Sequence, residues 1–300
     1  MNMRHVFIIN PAAGRHDKTG EIVAAIEKVC KSRLLEYDIY ITSHAGHASE
    51  IVRKTAENLH GSVRFYACGG DGTLNEVVCG AAESGGICEF TSYPVGTGND
   101  YVKMFPGGKQ AFLNLENLVS GKAMPVDYVH SDCGCAINVL SIGMDAQVAM
   151  RKDKYRFLGT GILPYALAAA ESVIKGIGRE YYVSIDGECY DGSYSMIFVG
   201  NGKYYGGGFC PVPQAKIDDG LLDVLLVKTI SKAKAAAVVN KYKQGKIDEL
   251  RDYIIELKAK NGVVFSRDGK DMCINLDGEI ISSARIAFRV IEKSLLFARP

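Results

Sequence analysis

Apolar and polar positions in the first third of the chain follow two alternating patterns. Short apolar runs are typical of buried strands, and segments in which apolar residues recur every three to four positions are typical of amphipathic helices. The predicted strands cover residues 5–9, 37–41, 63–67 and 90–95, and a helix follows each of the first three, the second at 49–59. This alternation predicts a parallel sheet with helices on both faces.

After about Pro125 the pattern changes to strands in which apolar and polar residues alternate. Residues 181–185, 196–199 and 222–227 have this pattern, and Asp-Gly pairs at 186–187 and 191–192 are typical of the turns between antiparallel strands. A helical insertion is predicted at 158–176 and a lysine-rich helix at 232–244. The chain is therefore predicted to form an α/β domain at 1–126 and a mostly antiparallel, β-rich domain at 127–291.

Glycine-containing loops follow three of the predicted parallel strands. Their sequences are NPAAG at 10–14, GGDGT at 69–73 and GTGND at 96–100. Open α/β sheets bind ligands at the carboxyl edge of their strands, and glycine lets the backbone approach a ligand closely. Thr73 followed by Glu76 fits a capping box, which predicts a helix start whose N–H groups face an anion. Together the loops predict a crevice for a polyphosphate and a sugar.

Asp71 lies within the predicted phosphate cradle, where it would repel bare phosphate. The loop lacks the lysine of a GxxxxGK[ST] phosphate loop and does not match GxGxxG. A divalent cation, Mg²⁺, is therefore expected between the phosphates and the acids Asp71 and Asp100. The alternatives are a glycine turn that only precedes a helix, and a helix-capping role for Asp100.

Acidic residues in the second half of the chain suggest two further sites. Asp219, in the segment KIDDGLLDV, is a candidate for a structural Mg²⁺ site, with an ordinary turn before a strand as the alternative. The segment NLDGE places Asp277 and Glu279 around a glycine, and either carboxylate could serve as a general base. A hairpin with two solvated acids is the other interpretation of NLDGE.

Two charged segments leave their functions open. His44, His47 and Glu50 could in principle bind a metal, although the favoured interpretation is that His47 caps a helix or borders the nucleotide, with Thr42 contacting the base or ribose. Lysines are concentrated between residues 228 and 246, where no acidic residue occurs. This run indicates either contact with an anionic membrane or a solvated helix face.

Composition limits the classes of protein to be considered. The 300 residues, 47% of them hydrophobic, suffice for two domains of ordinary size. Thirty-five basic and 34 acidic residues nearly cancel, which argues against nucleic-acid binding by bulk charge. Nine cysteines without regular spacing are unlike a disulfide framework. The first apolar run is too short for a signal peptide, so we expect a cytoplasmic protein.

Five motifs, taken in order, resemble the diacylglycerol kinase and sphingosine kinase catalytic family, and the bacterial soluble lipid kinases in particular. They are NPAAG, GGDGTLNE, PVGTGND, DDGLLDV and LDGE, and they span nearly the whole chain. The resemblance implies an N-terminal domain like that of NAD kinases and phosphofructokinases and a second domain that is a mostly antiparallel β-sandwich. It also implies a C-terminal strand, at about 292–300, that returns to the first domain.

The resemblance further implies Mg²⁺-dependent transfer of the γ-phosphate of ATP to a lipid hydroxyl, most simply that of diacylglycerol. The implied structural Mg²⁺ site comprises Asp219 and the carbonyl groups of Lys216 and Leu221, and the implied proton acceptor is Glu279, with Asp277 close by. The expected nucleotide-binding residues are Asn10, Pro11, Ala12, Ala13, Gly14, Thr42, Gly69, Gly70, Asp71, Gly72, Thr73, Leu74, Asn75, Thr97, Asn99 and Asp100.

Several alternatives remain open from the sequence. GGDGT also occurs in NAD kinases, so a phosphotransferase acting on a soluble nucleotide is one alternative, and a nucleotide-dependent lipid-binding protein without turnover is another. The motifs do not identify the acceptor lipid. Peripheral contact with the inner face of a membrane and assembly into a homodimer are further expectations.

Overall fold

The chain divides into two compact units, each described here by itself. The computed structural model describes residues 3–58, 61–85, 88–144, 146–147 and 178–300. The first unit comprises Met1–Asp127 and Lys293–Pro300, and the second comprises Tyr128–Glu292. The helical insertion predicted at 158–176 lies outside the described residues.

The first unit is built on a parallel sheet, as the alternation of strand and helix patterns predicted. Its strand order is β2-β1-β3-β4, and every neighbouring pair is parallel. The strands are β1 (Arg4–Ile9), β2 (Glu36–Ile41), β3 (Val63–Gly69) and β4 (Glu89–Pro94); the helices are α1 (Thr19–Ser32), α2 (His47–Asn58), α3 (Asp71–Glu83), α4 (Gly108–Phe112) and α5 (Leu115–Val119).

The burial of these elements explains why the hydrophobic pattern predicted them. Every residue of β3 is buried, as expected for a parallel strand covered on both faces. Helix α1 instead buries one stripe, formed by Ile22, Ile26, Val29 and Cys30. The unit also contains the C-terminal residues of the chain, because Leu296 and Phe297 pair in parallel with Glu89 and Phe90 of β4.

The second unit is predominantly antiparallel β-structure, which confirms the fold class expected for this half. Strand β5 (Lys122–Ser131) begins in the first unit and ends in the second. The remaining elements are β6 (Gly134–Ala136), β7 (Val139–Gly143), β8 (Arg179–Ile185), β9 (Glu188–Cys189), β10 (Gly192–Gly200), β11 (Leu222–Lys228), α6 (Lys232–Lys243), β12 (Ile254–Ala259), β13 (Asn261–Ser266), β14 (Met272–Leu276) and β15 (Glu279–Ser283). Strand β16 (Arg285–Arg299) begins in the second unit and ends in the first.

Strand β10 contributes to two hydrophobic cores. Ile197 and Val199 belong to a large cluster with residues of β7, β8, β11, β13 and β14. Met196 and Phe198 point to the opposite face and pack in a second cluster with residues that include Tyr242 of α6 and Leu250. Because successive side chains of a strand alternate between its faces, β10 is apolar along most of its length rather than at every second position.

A buried histidine makes the stability of the first unit depend on pH. His5 lies in β1 with 3% of its surface exposed, and its Nδ1 is 2.6 Å from the hydroxyl of buried Tyr66. Burial, followed by the positive charge of Arg64, lowers the pKa of His5 from 6.5 to about 4. The folded protein therefore keeps this ring neutral at pH values at which the unfolded chain binds a proton.

We expect the free energy of unfolding to fall as the pH is lowered from 6.5 to about 4, with His5 contributing up to about 2–3 kcal/mol of the loss. The sign follows because the unfolded state binds more protons throughout this interval. Urea unfolding at several pH values measures the effect. His5→Gln should reduce the slope, whereas His16→Gln, at an exposed position, should keep it. Equal slopes for wild type and His5→Gln would contradict the assignment.

Candidate functional site

The three glycine loops of the first unit, at residues 10–14, 69–73 and 96–100, contact one another, and we call them the three-loop site. Asn10 Nδ2 donates to Thr73 Oγ1 at 3.0 Å, which joins the first loop to the second. Gly14 has a φ of +91°, and a Cβ at this position would lie 2.9 Å from the carbonyl oxygen of Val95. Parallel topology thus brings the loops together at the carboxyl edge, as the sequence predicted.

The second and third loops cross with their backbones in direct contact. A Cβ on Gly96 would lie 2.5 Å from the Cα of Gly70, a separation that no side chain can occupy. The N–H groups of Val95 and Gly96 both donate to the carbonyl oxygen of Gly69, each at 3.0 Å. The glycines therefore fix the spacing of the loops and leave backbone, rather than side chains, at the crossing.

The predicted capping box is wrong. Helix α3 begins at Asp71, and its N-cap is Gly70 in an extended conformation, so Thr73 already lies in the first turn. Its hydroxyl accepts a hydrogen bond from Asn10, while Glu76 Oε2 accepts from the N–H of Ala48 in α2, at 3.0 Å. Glu76 therefore caps a neighbouring helix. The N–H groups in the first turn of α3 have no acceptor within the helix and lie at the three-loop site.

Asp71 holds the third loop against the start of α3. Its Oδ2 accepts from the N–H of Asn99 at 2.7 Å, and its Oδ1 accepts from the N–H of Asp100 at 2.6 Å. Burial, followed by the charge of Asp100, raises the pKa of Asp71 above its ordinary value. Both oxygens of Asp71 thus order the loop, a positioning role that the sequence did not reveal.

The side-chain oxygen of Asn99 is a buried hydrogen-bond acceptor. The residue is in the left-handed region, with φ of +53°, and its Nδ2 donates to the carbonyl oxygen of Gly96 at 2.6 Å. Its buried Oδ1 has no hydrogen-bond partner among the described residues. Because buried acceptors are nearly always satisfied, the atom suits a donor supplied by a ligand or by water.

The GGDGT motif contains no lysine, but three lysines lie near the third loop and supply positive charge there. They are Lys18, Lys103 and Lys109. Lys109 Nζ donates to the carbonyl oxygen of Gly96 at 2.8 Å, and Lys103 Nζ lies 2.5 Å from Asp100 Oδ1. Burial, followed by the charges of Lys18 and Lys103, lowers the pKa of Lys109. Sequence reasoning missed this group, because the three lysines are separated along the chain and only their folding around residues 96–100 brings them together.

The other predicted nucleotide-binding residues are divided by their exposure. Leu74 and Asn75 are buried in α3. Ala12, Gly72 and Thr97 are exposed. Thr42 is placed beside the first loop, because its N–H donates to the carbonyl oxygen of Ile9 at 2.9 Å.

The two predicted bases, Asp277 and Glu279, lie at the turn between β14 and β15 and differ in their hydrogen bonds and exposure. Asp277 accepts from the backbone N–H groups of Ile137, Asn138 and Val139 at 2.7, 3.0 and 2.7 Å, so its carboxylate fixes the approach to β7. Glu279 is the first residue of β15 and is exposed. Of the two, Glu279 has the geometry that suits a base open to substrate.

The Asp219 turn offers a carboxylate to a hard cation and places the ammonium group of Lys258 near it. Asp219 Oδ1 accepts from the N–H of Leu221 at 3.2 Å, and Oδ2 lies 3.8 Å from Lys258 Nζ. Lys258 is closer to Asp223, at 2.9 Å. One carboxylate with adjacent backbone carbonyls matches the chemistry of a largely hydrated Mg²⁺.

The lysine-rich helix, predicted at 232–244, is α6. Several of its charges are engaged by the second unit: Lys234 Nζ lies 4.5 Å from the ring centroid of Tyr253, and Lys241 Nζ lies 2.9 Å from Glu249 Oε2. Both lysines are exposed, as is most of α6, so the solvated helix face and the contact with an anionic membrane both stay predictions. In the part of the chain that the structure describes, no helix is long and apolar enough to cross a membrane.

Comparison with known proteins places both units. Residues 4–131 match the model of the diacylglycerol kinase catalytic domain, and residues 138–298 match that of the YegS C-terminal NAD kinase beta sandwich-like domain. A diacylglycerol kinase of Staphylococcus aureus strain MRSA252 is 27% identical over 281 residues, which cover 93% of this chain and 87% of that protein.

A second relative and a solved structure agree with this placement. A diacylglycerol kinase of S. aureus strain bovine RF122 is 28% identical over 280 residues, with the same coverage of 93% and 87%. The crystal structure of a Bacillus anthracis diacylglycerol kinase shares the fold, with a TM-score of 0.72 over 99% of this chain and 97% of that one, at 18% identity. The YegS C-terminal model alone covers more than half of the chain, and with the match at residues 4–131 the chain belongs to the family of proteins that combine a diacylglycerol kinase catalytic domain with a YegS C-terminal domain.

Proposed function

We propose that this protein is an ATP-dependent lipid kinase that phosphorylates diacylglycerol to phosphatidic acid, a reaction of phospholipid metabolism. The observation that carries the proposal is the three-loop site, where backbone N–H groups and lysines surround a crossing from which side chains are excluded. Such a site suits the triphosphate of a nucleotide. The lipid acceptor is inferred from family membership and from the names of the S. aureus relatives.

The negative charge of the phosphates is proposed to be neutralised in two ways: directly by the lysines, and by a metal ion that the acidic residues hold. Lys109 and Lys103 are bound to residues of the third loop, so their charges would be close to a phosphate that binds against this loop. Asp71 and Asp100 are neighbours whose like charges a divalent cation would offset. Asp71 and Asp100 would hold this Mg²⁺, whose chemistry would be to offset the negative charge of the phosphates. Asp219, with the carbonyls of Lys216 and Leu221, is proposed to hold a separate structural Mg²⁺.

Glu279 is proposed as the general base. The acceptor hydroxyl attacks the γ-phosphorus, so that a new P–O bond forms while the bond between the γ-phosphorus and the bridging oxygen breaks. The hydroxyl proton passes to the Glu279 carboxylate, and ADP leaves with the electron pair of the broken bond. Asp277 positions the turn that carries Glu279 through its three backbone hydrogen bonds.

Lys109→Met is expected to raise the KM for ATP about 10- to 100-fold, because a charge-assisted contact to phosphate contributes about 1.5–3 kcal/mol. Steady-state kinetics at saturating acceptor measures this change. Lys54→Met removes an exposed lysine of α2 and should leave the KM unchanged. A wild-type KM for Lys109→Met, in a protein that unfolds at the wild-type temperature, would contradict a phosphate-binding role.

The acceptor is tested with γ-labelled ATP and Mg²⁺. Parallel reactions contain vesicles with diacylglycerol, vesicles with a sphingoid base, vesicles with phosphatidylglycerol, or NAD in solution. The proposal requires labelled phosphatidic acid as the main product. Label on another lipid would support a lipid kinase with a different acceptor. Label on NAD would favour the NAD kinase-like alternative. Nucleotide-dependent vesicle binding with no labelled product would favour a binding protein without turnover.

Access to a lipid acceptor requires contact with a membrane surface. We therefore propose a peripheral association with the inner face of the membrane, by a protein otherwise located in the cytoplasm. Sedimentation with vesicles that contain anionic phospholipid is expected to exceed sedimentation with neutral vesicles. Equal recovery with both would remove the electrostatic part of this proposal.

A further inference from the structure

The turn between β2 and α2 brings two imidazoles and a carboxylate into one cluster. The rings of His44 and His47 are stacked, with centroids 4.7 Å apart and an angle of 20° between their planes. One nitrogen of each ring and one carboxylate oxygen of Glu50 lie within 4.8 Å of one another. Donors around a four-coordinate ion with bonds of about 2.0–2.2 Å are separated by about 3.5 Å, so small side-chain rotations would close this cluster around a metal.

We propose that His44, His47 and Glu50 bind a divalent transition metal ion of the Zn²⁺ class. Two imidazoles and one carboxylate are ligands that suit Zn²⁺, Ni²⁺ or Cu²⁺, whereas Mg²⁺ prefers oxygen ligands alone. The site is therefore chemically distinct from the Mg²⁺ sites proposed for the kinase reaction. Three protein ligands leave a coordination position for water or another ligand.

Hydrogen bonds at the Nδ1 atoms indicate how each histidine could bind the metal through Nε2. Nδ1 of His44 lies 2.9 Å from the carbonyl oxygen of Ala45, to which it can only donate, so the lone pair of this ring is on Nε2. A ligand histidine whose second nitrogen donates to a backbone carbonyl is the usual arrangement at metal sites.

His47 needs only a local change to become a ligand. Its Nδ1 accepts from the N–H of Ser43 at 3.1 Å and lies 3.3 Å from the Ser43 hydroxyl. When Nε2 binds a metal, the proton moves to Nδ1, and the ring must turn from the Ser43 N–H toward the Ser43 hydroxyl, which can then serve as its acceptor. The turn therefore offers a partner for either tautomer.

Negative charge offsets the positive end of the helix that starts at His47. The N–H groups at a helix start repel a cation, so a metal at this position requires compensation. The carboxylate of Glu76 accepts from the N–H of Ala48 at 3.0 Å, and Glu50 lies in the first turn of α2. Two carboxylates thus accompany the two histidines at the helix start.

Zn²⁺ titration of the full-length protein against a chromogenic chelator tests the site, in buffer that contains millimolar Mg²⁺ and no nucleotide. All proteins carry Cys189→Ser, because this exposed free thiol is itself a zinc ligand. The parent is expected to bind one more Zn²⁺ than a His44→Ala/His47→Ala variant. Each single histidine variant and Glu50→Gln should weaken that binding at least tenfold. His130→Ala, at an exposed position of the second unit, should leave it unchanged.

Two further measurements separate a site from adventitious binding. X-ray absorption of the one-to-one zinc complex should show two imidazole ligands, and thermal unfolding in a chelator should be the same for parent and variants. Equal zinc stoichiometry and affinity in the parent and the double variant would overturn the proposal. So would a zinc spectrum dominated by sulfur ligands. Neither readout depends on kinase activity, so the test stands whether or not the proposed function holds.

Discussion

Glu279→Gln is expected to lower the rate of phosphate transfer to lipid about 10²–10⁴-fold and to leave the KM for ATP nearly unchanged. The amide keeps the size of the side chain but cannot accept the proton of the acceptor hydroxyl. Because Glu279 is exposed and begins β15, the substitution should not affect folding. Initial rates with labelled ATP, together with the temperature of unfolding, measure both parts of this expectation.

A matched variant controls for the loss of negative charge. Glu256→Gln removes another exposed strand carboxylate of the second unit and should retain wild-type turnover. Turnover within threefold of wild type would exclude Glu279 as the base and return attention to Asp277.

Asp71→Asn is expected to reduce kcat/KM for ATP by at least about 100-fold and to lower the free energy of unfolding by about 1–3 kcal/mol. The carboxylate accepts from two backbone N–H groups, whereas the amide presents an NH₂ group to one of them. One buried donor is then left without an acceptor, and the third loop loses its attachment to α3. Steady-state kinetics and urea unfolding measure the two effects.

The combination of effects distinguishes a positioning residue from a metal ligand alone. If Asp71 acted only through Mg²⁺, raised Mg²⁺ concentrations should restore activity and the unfolding midpoint should not change. Asp252→Asn, at an exposed position, should be neutral in both measurements. A fully stable Asp71→Asn protein whose activity returns with added Mg²⁺ would contradict the positioning role.

Features that depend on short stretches of sequence were predictable. The periodicity of α1 and the continuous burial of β3 follow directly from local hydrophobic patterns. The meeting of the three glycine loops was also predictable, because the carboxyl ends of parallel strands lie at one edge. The prediction of a capping box also used a short stretch of sequence, but it was wrong. The match of Thr73 and Glu76 to the motif gave no indication that Gly70 would be the N-cap.

Features that depend on distant partners were not predictable from patterns. Asp71 is bound by residues 28 and 29 positions away, and Asp277 by residues 138 to 140 positions away. The role of a carboxylate in such a position is decided by which backbone N–H groups surround it after folding. Sequence therefore identified these acids as important but could not separate positioning residues from candidate bases.

The backbone crossing of Gly70 and Gly96 has a consequence for the divergence of related enzymes. Even a methyl group at Gly96 would overlap the backbone of Gly70, so every substitution at Gly96 requires the two loops to move apart. Substitutions that alter which ligands the protein binds are therefore expected at other positions, such as exposed Thr97 and the turns of the second unit that carry acidic residues. The geometry of this crossing is therefore expected to be the same in proteins that share the fold, and substitutions are expected at exposed positions instead.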